Sequence, residues 1–297
     1  MIEIEDPGPR TTVQDLGRPG YAALGVGRSG AADRGALRLA NRLVGNPEQL
    51  AGLELTLGGL RARFHRPALV AVTGAGCPMA VDGANNDAGM NAPFAMRAGQ
   101  VLRIGTPERG LRTYLAVRGG IDVPEVLGSR STDTLSGIGP AVVGRAAVLP
   151  VGHAALGFPD TDLAVRREPA DDEPVAVLPG PRADWFTAAA IDVLTSNPYT
   201  VTAEADRIGA RLDGPRLERA EERELRSEGM VCGALQVPPD GRPILFLADH
   251  PVTGGYPVIA VVRAADLDRA AQLRPGDAVR FRLARPSQAS SGFRPRG

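Results

Sequence analysis

Residues 244–262 read Ile244-Leu-Phe-Leu-Ala-Asp-His-Pro-Val-Thr-Gly-Gly-Tyr-Pro-Val-Ile-Ala-Val-Val262, two short β-type runs (Ile244 to Ala248 and Val258 to Val262) separated by a Gly- and Pro-containing turn. Short apolar runs bounded by such punctuation are read as strands. The same unit recurs at Leu69 to Thr73, Val101 to Ile104, Thr113 to Val117 and Val175 to Leu178. With 37 Gly and 26 Pro spread over 297 residues, the pattern predicts a mainly β chain with a few helices, built as barrels or sandwiches. One helix is legible: Ser29-Gly-Ala-Ala-Asp33 supplies cap residues, Ala36, Leu37, Ala40, Leu43 and Val44 recur at helical spacing, and Gly45-Asn46 ends it. A second, polar helix or helical turn is expected around Arg216 to Ser227.

The segment from Gly157 to Pro174 mixes acidic and basic residues, holds Pro159, Pro169 and Pro174 and lacks an apolar period, so it reads as a connector. The expected domains are therefore 1–156 and 175–290. Two short echoes suggest duplication: Pro7-Gly-Pro-Arg10 recurs as Pro179-Gly-Pro-Arg182, and Arg97-Ala-Gly-Gln100 resembles Arg274-Pro-Gly-Asp277.

Charge and composition exclude several function classes. The 34 basic residues balance 34 acidic ones, so no excess positive charge favours nucleic acid or an anionic membrane. All the basic residues are arginine, and a guanidinium cannot supply a Schiff base, a P-loop phosphate clamp or a biotinyl attachment point. Cys77 and Cys232 are isolated, which supports neither a metal site nor a disulfide and leaves them as inert buried thiols. The acidic start, with Glu3, Glu5 and Asp6, does not resemble a signal peptide, and no apolar run is long enough to span a bilayer, so a cytoplasmic location is expected.

Four clusters hold polar chemistry. Thr11-Thr-Val-Gln-Asp-Leu-Gly-Arg-Pro-Gly20 sets Gln14, Asp15 and Arg18 on one tight turn, where a guanidinium fork suits a carboxylate or phosphate; a plain surface pair of Asp15 with Arg18 stays open. Ser29 and Asp33 begin the predicted helix, with Asn41 near its end and Glu54 on the next β-type run; anion binding and ordinary capping both fit. Gly128-Ser-Arg-Ser-Thr132 offers Arg130 and Ser131. The fourth cluster places Gln236 and Asp249 at opposite ends of a strand, followed by Thr253-Gly254-Gly255, whose N–H groups suit an oxyanion or simply a turn. Gly74-Ala-Gly76 lacks the rest of a dinucleotide fingerprint, and a Ser/His/Asp triad through His250 lacks a nucleophile elbow.

Taken together, Thr12 to Tyr21, Ser29 to Asp33 with Ala40-Asn41, Leu53-Glu54, Tyr114 to Gly120, Leu127 to Thr132, Gly233 to Gly241 and Thr253 to Pro257 resemble the biotin-dependent carboxyltransferase-like family, which includes the second subunit of allophanate hydrolase and the C-type component of 5-oxoprolinase. The resemblance covers nearly the whole chain. It implies two cyclophilin-like β-barrel domains and a heteromeric partner, the first allophanate hydrolase subunit or its B-type counterpart in 5-oxoprolinase. It also implies a small amide or lactam substrate and ATP used somewhere in the complex. Family alternatives are a carboxyltransferase component using biotin carried on another chain, and a non-catalytic regulator that binds a kinase-inhibitor-like partner. On this reading Arg18 and Arg130 clamp an anion, Asp15 and Asp249 serve as acid or base, and Gln14, Ser131 and Gln236 orient the ligand, with Ser29, Asp33, Asn41, Glu54, Thr253 and Gly254 as further contacts. No metal site is expected. The chain departs from the family pattern at His250-Pro251 and Ser136 to Pro140, so His250 is left out of the site.

Overall fold

The computed structural model describes residues 1–83, 89–158, 161–165 and 173–284. In the first half, strands β1 (Ile2–Asp6) and β2 (Arg10–Gln14) precede helix α1 (Arg34–Leu43). Then follow β3 (Gly52–Thr56), β4 (Leu60–Phe64), β5 (Ala68–Gly74), β6 (Met79–Val81), β7 (Pro93–Met96), β8 (Val101–Ile104), β9 (Arg112–Val117) and β10 (Val148–Leu149). They form two five-stranded sheets, β10-β1-β4-β8-β6 and β2-β3-β9-β5-β7. The sheets enclose one core, to which Ile2, Ile4, Leu60, Phe64 and Ile104 come from one and Val13, Leu53, Leu55, Val72 and Leu115 from the other.

Period-two alternation decides what the outer face of the second sheet carries. Leu53 and Leu55 point to the core, so Glu54 points away, in register with Thr12 on β2 and with Tyr114 on β9, which in turn lies opposite Thr73 on β5. Helix α1 packs on this outer face through Ala36, Leu37, Ala40 and Leu43. That is why β9 is buried along its whole length.

The second half holds β11 (Val175–Pro179), α2 (Ala188–Ser196), β12 (Pro198–Ala205), β13 (Gly209–Asp213), β14 (Glu228–Gly229), β15 (Ala234–Gln236) and β16 (Ile244–Phe246). It ends with β17 (Thr253–Gly254), β18 (Val258–Val262), α3 (Leu267–Ala270) and β19 (Ala278–Leu283). Seven strands close a barrel in the order β11-β18-β15-β16-β13-β12-β19, completed by the parallel pair β11 and β19. Its core includes Val177, Leu194, Tyr199, Leu212, Leu235, Leu245, Ile259 and Phe281.

The predicted strands are all present, and Asp33 caps α1 by accepting the Ala36 N–H at 2.8 Å. The polar helix around Arg216 to Ser227 is absent. Leu217 is the one fully buried apolar side chain there, too little to make an amphipathic face, and the backbone donors of Leu217 and Ala220 bond instead to Gly241 O and Trp185 O. The second long helix is α2, whose alanine-rich start has no distinctive cap bond.

The two echoes fall at matching places. Pro7 follows β1 and Pro179 ends β11, the first strand of each half. Arg97 N–H donates to Gln100 Oε1 at 2.7 Å before β8, and Arg274 N–H donates to Asp277 Oδ2 at 2.9 Å before β19. Both turns place a glycine at positive φ, 85° for Gly99 and 92° for Gly276. Of the expected connector, residues 159–160 and 166–172 lie outside the described residues, as do 285–290 at the end of the expected second domain.

Candidate functional site

The outer face of the second sheet, helix α1 and the loops of the second half meet in a polar seam. At its centre Arg207, in the turn between β12 and β13, is fully buried. Its Nε donates to Asp249 Oδ2 at 2.8 Å and its Nη2 to Asp249 Oδ1 at 2.9 Å and Gly30 O at 2.6 Å, while Nη1 bonds Glu54 Oε1. Asp249 reaches this position because the chain leaves β16 after Phe246, and Leu247 and Asp249 bond backbone to Ile208 and Arg207. The Asp249 carboxylate also accepts the Ser29 hydroxyl at 2.6 Å and the Thr134 N–H and hydroxyl at 2.9 and 2.7 Å. Ser29 holds φ +53°, an unfavourable conformation for serine, and in it the hydroxyl meets Asp249.

Glu54 Oε2 accepts the Ala32 N–H at 2.9 Å and the Tyr114 hydroxyl at 2.7 Å, and Arg112 Nε lies 3.6 Å from Oε1. Burial works to raise the Glu54 carboxyl, but the Arg207 and Arg112 guanidinium groups and these two donors outweigh it and hold it below the usual range. The balance at Asp249 is alike: burial opposes ionisation, and Arg207, Ser29 and Thr134 reverse the sign. Burial and then Glu54 push the Tyr114 phenol well above its ordinary value, so it stays a donor. Asp33 joins through Gln272, whose Nε2 donates to Asp33 Oδ2 at 2.7 Å and whose Oε1 accepts the Leu111 and Arg112 N–H groups.

A second cluster adjoins the seam where the turn after β2 meets residues 126–139. Asp15 Oδ1 accepts the Gly17 N–H and the Ser129 hydroxyl, both at 2.7 Å, and the Ser131 hydroxyl, while Oδ2 accepts the Arg130 N–H at 2.6 Å. Arg18 is buried: Nη2 donates to Ser131 O and Nε to Val126 O at 3.4 Å. A tight turn of this kind would send the side chain toward solvent or a cleft, or pair it with Asp15 or Glu54; instead its one carboxylate within 4.0 Å among the described residues is Asp133, 4.0 Å from Nη1, and Nη1 has no hydrogen bond. Gln14 Nε2 donates to Thr132 O at 2.9 Å, and both Gln14 Oε1 and Thr132 Oγ1 are buried without partners.

The remaining candidates lie apart. Arg130 contributes its backbone to Asp15, but its guanidinium turns outward to Asp122 at 2.8 Å and Glu125, beside a cavity of about 180 Å³ lined also by Gly119, Gly120 and His153. Asn41 serves the fold, donating to Glu48 O and Leu50 O to close the loop after α1. Gln236 donates to Tyr256 O at 3.1 Å, and its Nε2 lies where a Cβ on Gly254 would come within 2.5 Å, so a side chain there would displace the Gln236 amide. Thr253 is exposed and pairs through β17 with Gly229 of β14. His250 bonds the neighbouring Pro251 O and takes no part in the seam. Burial raises both thiols, although Cys77 and Cys232 are only half-buried.

Sequence reasoning missed Arg207, Arg112, Gln272, Asp133 and Thr134. Asp206-Arg207 reads as a charged turn, and nothing in its neighbourhood signals the distant carboxylates that bury it. Among the described residues no group of three or more His, Cys, Asp or Glu could hold a metal ion, and no helix is long and apolar enough to cross a membrane.

Two sheets on a shared core, a closed barrel and a polar seam between them define a carboxyltransferase-type architecture, and residues 24–283 match the carboxyltransferase domain, subdomain A and B, a family to which this chain belongs. The chain is 40% identical over 285 residues to the C-type component of 5-oxoprolinase from Escherichia coli K12, covering 95% of this chain and 90% of that one. It is also similar to the solved urea amidolyase of K. lactis, at TM-score 0.86 and 32% identity, covering 94% of this chain but 18% of that one. The Kluyveromyces lactis urea carboxylase matches at TM-score 0.85 and 32% identity over 94% of this chain and 27% of that one.

Proposed function

We propose that the chain is the C-type component of an ATP-dependent 5-oxoprolinase-like hydrolase, opening a cyclic amide in the cytoplasm only when joined to a B-type partner. The near end-to-end relation to the E. coli 5-oxoprolinase component carries this reading, because the match spans nine-tenths of that relative. Two features of the chain support the need for a partner. Apart from Arg112 Nε, the seam's polar groups described above are satisfied from within, and the two concavities of about 180 Å³ beside Arg130 and 170 Å³ beside Arg242 fall well short of the roughly 300 Å³ from which small-molecule pockets begin. The loops around Arg18 carry exposed Leu24, Val126, Leu127 and Leu135, a surface suited to cover by another polypeptide. In the K. lactis relatives the matched region is likewise part of a much longer chain.

ATP would activate the lactam carbonyl as a phosphorylated species that water then opens. In this scheme Arg18 supplies the free donor, since Nη1 has hydrogen-bonding capacity left over, and Gln14 and Thr132 offer an acceptor and a hydroxyl beside it. Asp15 and Asp249 act as positioning carboxylates, because their oxygens are already occupied by donors. The test is ATP-dependent conversion of 5-oxoproline to glutamate by the chain co-purified with a B-type partner. Robust turnover by the chain alone, or none in any assembled complex, refutes it.

The match to urea carboxylase favours a second reading, carboxyl transfer from biotin to urea or a similar amide. Having no lysine, this chain would receive biotin on another chain. Activity abolished by avidin would select it.

A further inference from the structure

Arg28 and Arg34 take no part in the clusters above. Arg28 is exposed, and its Nε donates to Leu16 O at 3.3 Å; Arg34 opens helix α1 half-buried, and its Nη2 donates to Ser29 O at 3.4 Å. These two acceptors belong to peptides packed against each other: a Cβ on Gly17 would lie 2.6 Å from Ser29 O, and one on Gly30 2.7 Å from the Leu16 carbonyl carbon. The two guanidinium groups are thus anchored on adjoining peptides, each by a single long bond. Neither has a carboxylate within 4.0 Å among the described residues, whereas Arg42, Arg61, Arg63 and Arg103 of the same half all do.

Nearby acids offset them only in part, Asp268 favouring the charged form of Arg34 less than Arg28 disfavours it. Asp33 is engaged by Ala36 and Gln272, Asp249 by Arg207, and Asp268 accepts the Gly35 N–H at 3.1 Å. Arg38, one turn further along α1, is itself paired with Glu48 at 3.6 Å. Burial first and then the charge of Arg28 lower the Arg34 guanidinium, with Cys232 and Asp268 acting the other way. The Cys232 loop approaches from the second half: a Cβ on the following Gly233 would lie 2.7 Å from Leu267 Cδ2 at the start of α3, whose next residue Asp268 accepts the Gly35 N–H beside Arg34.

A phosphoryl group, with its double charge and several acceptor oxygens, can occupy two guanidinium forks at once, which a single carboxylate fills less completely. We infer that Arg28 and Arg34, with the Cys232 loop across the seam, form a phosphoryl-binding site distinct from the Asp15 and Asp249 clusters. It uses none of the residues on which the proposed hydrolase rests, so either can fail while the other stands.

Cys232 provides the readout. In the full chain its alkylation by iodoacetamide, followed by peptide mass mapping with Cys77 as internal reference, is measured against inorganic phosphate, pyrophosphate and ATP at constant ionic strength. The expected result is saturable protection of Cys232 but not Cys77, with half-protection shifted about tenfold to higher concentration in Arg34→Gln, the loss of one charge-assisted bond. Arg28→Gln, on an exposed side chain, should shift it in the same direction and guards against a misfolded Arg34 variant. Protection by ATP alone identifies a nucleotide-borne group, and equal protection by inorganic phosphate a free one. Absence of saturable protection, equal protection by chloride, or protection unchanged in the double variant overturns the site, the last two leaving the arginines to meet an acidic side chain of a partner.

Discussion

Arg207 and Arg18 are both buried, yet they are held in opposite ways. Arg207 is matched by two carboxylates, Glu54 and Asp249, one from each half, and Nη2 also donates to the Gly30 carbonyl. Arg18 leans on two backbone carbonyls, has its acidic neighbour at 4.0 Å and leaves Nη1 unpaired, among residues whose Gln14 Oε1 and Thr132 Oγ1 are unpaired too. Buried charge that is fully matched costs little to keep and much to break, whereas buried capacity left over is costly unless something arrives to use it. Arg207 therefore rivets the halves together, and Arg18 keeps a donor to offer a ligand.

The sharpest way to break this contrast is Arg207→Met. It strands two carboxylates in the seam, and unfolding in urea should show a loss of about 3–5 kcal/mol, the usual result of removing one member of a buried pair. A loss under about 1 kcal/mol would mean the seam is not the rivet.

Acid should attack the seam next. Both Glu54 and Asp249 have folded values below their ordinary ones. Their contribution is thus complete above the unfolded carboxylate range, roughly pH 4, and is lost as pH falls through the lower folded values. Unfolding free energy measured from pH 7 downward should stay level to about pH 5 and then fall, and Glu54→Gln should flatten that fall. An equal slope in Glu54→Gln would contradict it.

Arg18→Lys keeps a charge but loses the fork. In the assembled complex kcat/KM should drop by about 10- to 100-fold, and stability, because the side chain is buried, by about 1–2 kcal/mol. A fall in stability with unchanged kinetics would make Arg18 a second rivet.

The mildest change is Thr132→Val, which removes a hydroxyl with no protein partner. Stability should stay within about 0.5 kcal/mol of wild type or rise. A loss above about 1 kcal/mol would show that the hydroxyl is partnered after all.

The strands and α1 are legible in the sequence because alternation and capping are local, as at Leu53-Glu54-Leu55 and Asp33. The motifs carrying Asp15, Ser29, Glu54, Ser131 and Asp249 are legible as polar clusters, and the fold gathers these five residues along the seam and its adjoining loops. What cannot be read is burial that depends on distant charge. Arg207 meets partners 153 and 42 residues away, and Arg18 turns inward to a carbonyl 113 residues away, so a turn that looks exposed is covered. The outward turn of Arg130 is hidden for the same reason, since the acids at Asp122 and Glu125 capture its guanidinium.

The parallel pair of β11 with β19 has a consequence for how the chain comes into being. The second half begins and ends on strands that must hydrogen-bond to each other, Val175 opposite Phe281. During synthesis β11 emerges from the ribosome long before its neighbour exists, exposing an unpaired edge with Val175, Ala176 and Val177 until Leu283 has cleared the exit tunnel. The first half can close as soon as β10 reaches β1. The first half can therefore close while translation continues, whereas the barrel of the second half cannot close before β19 has been made.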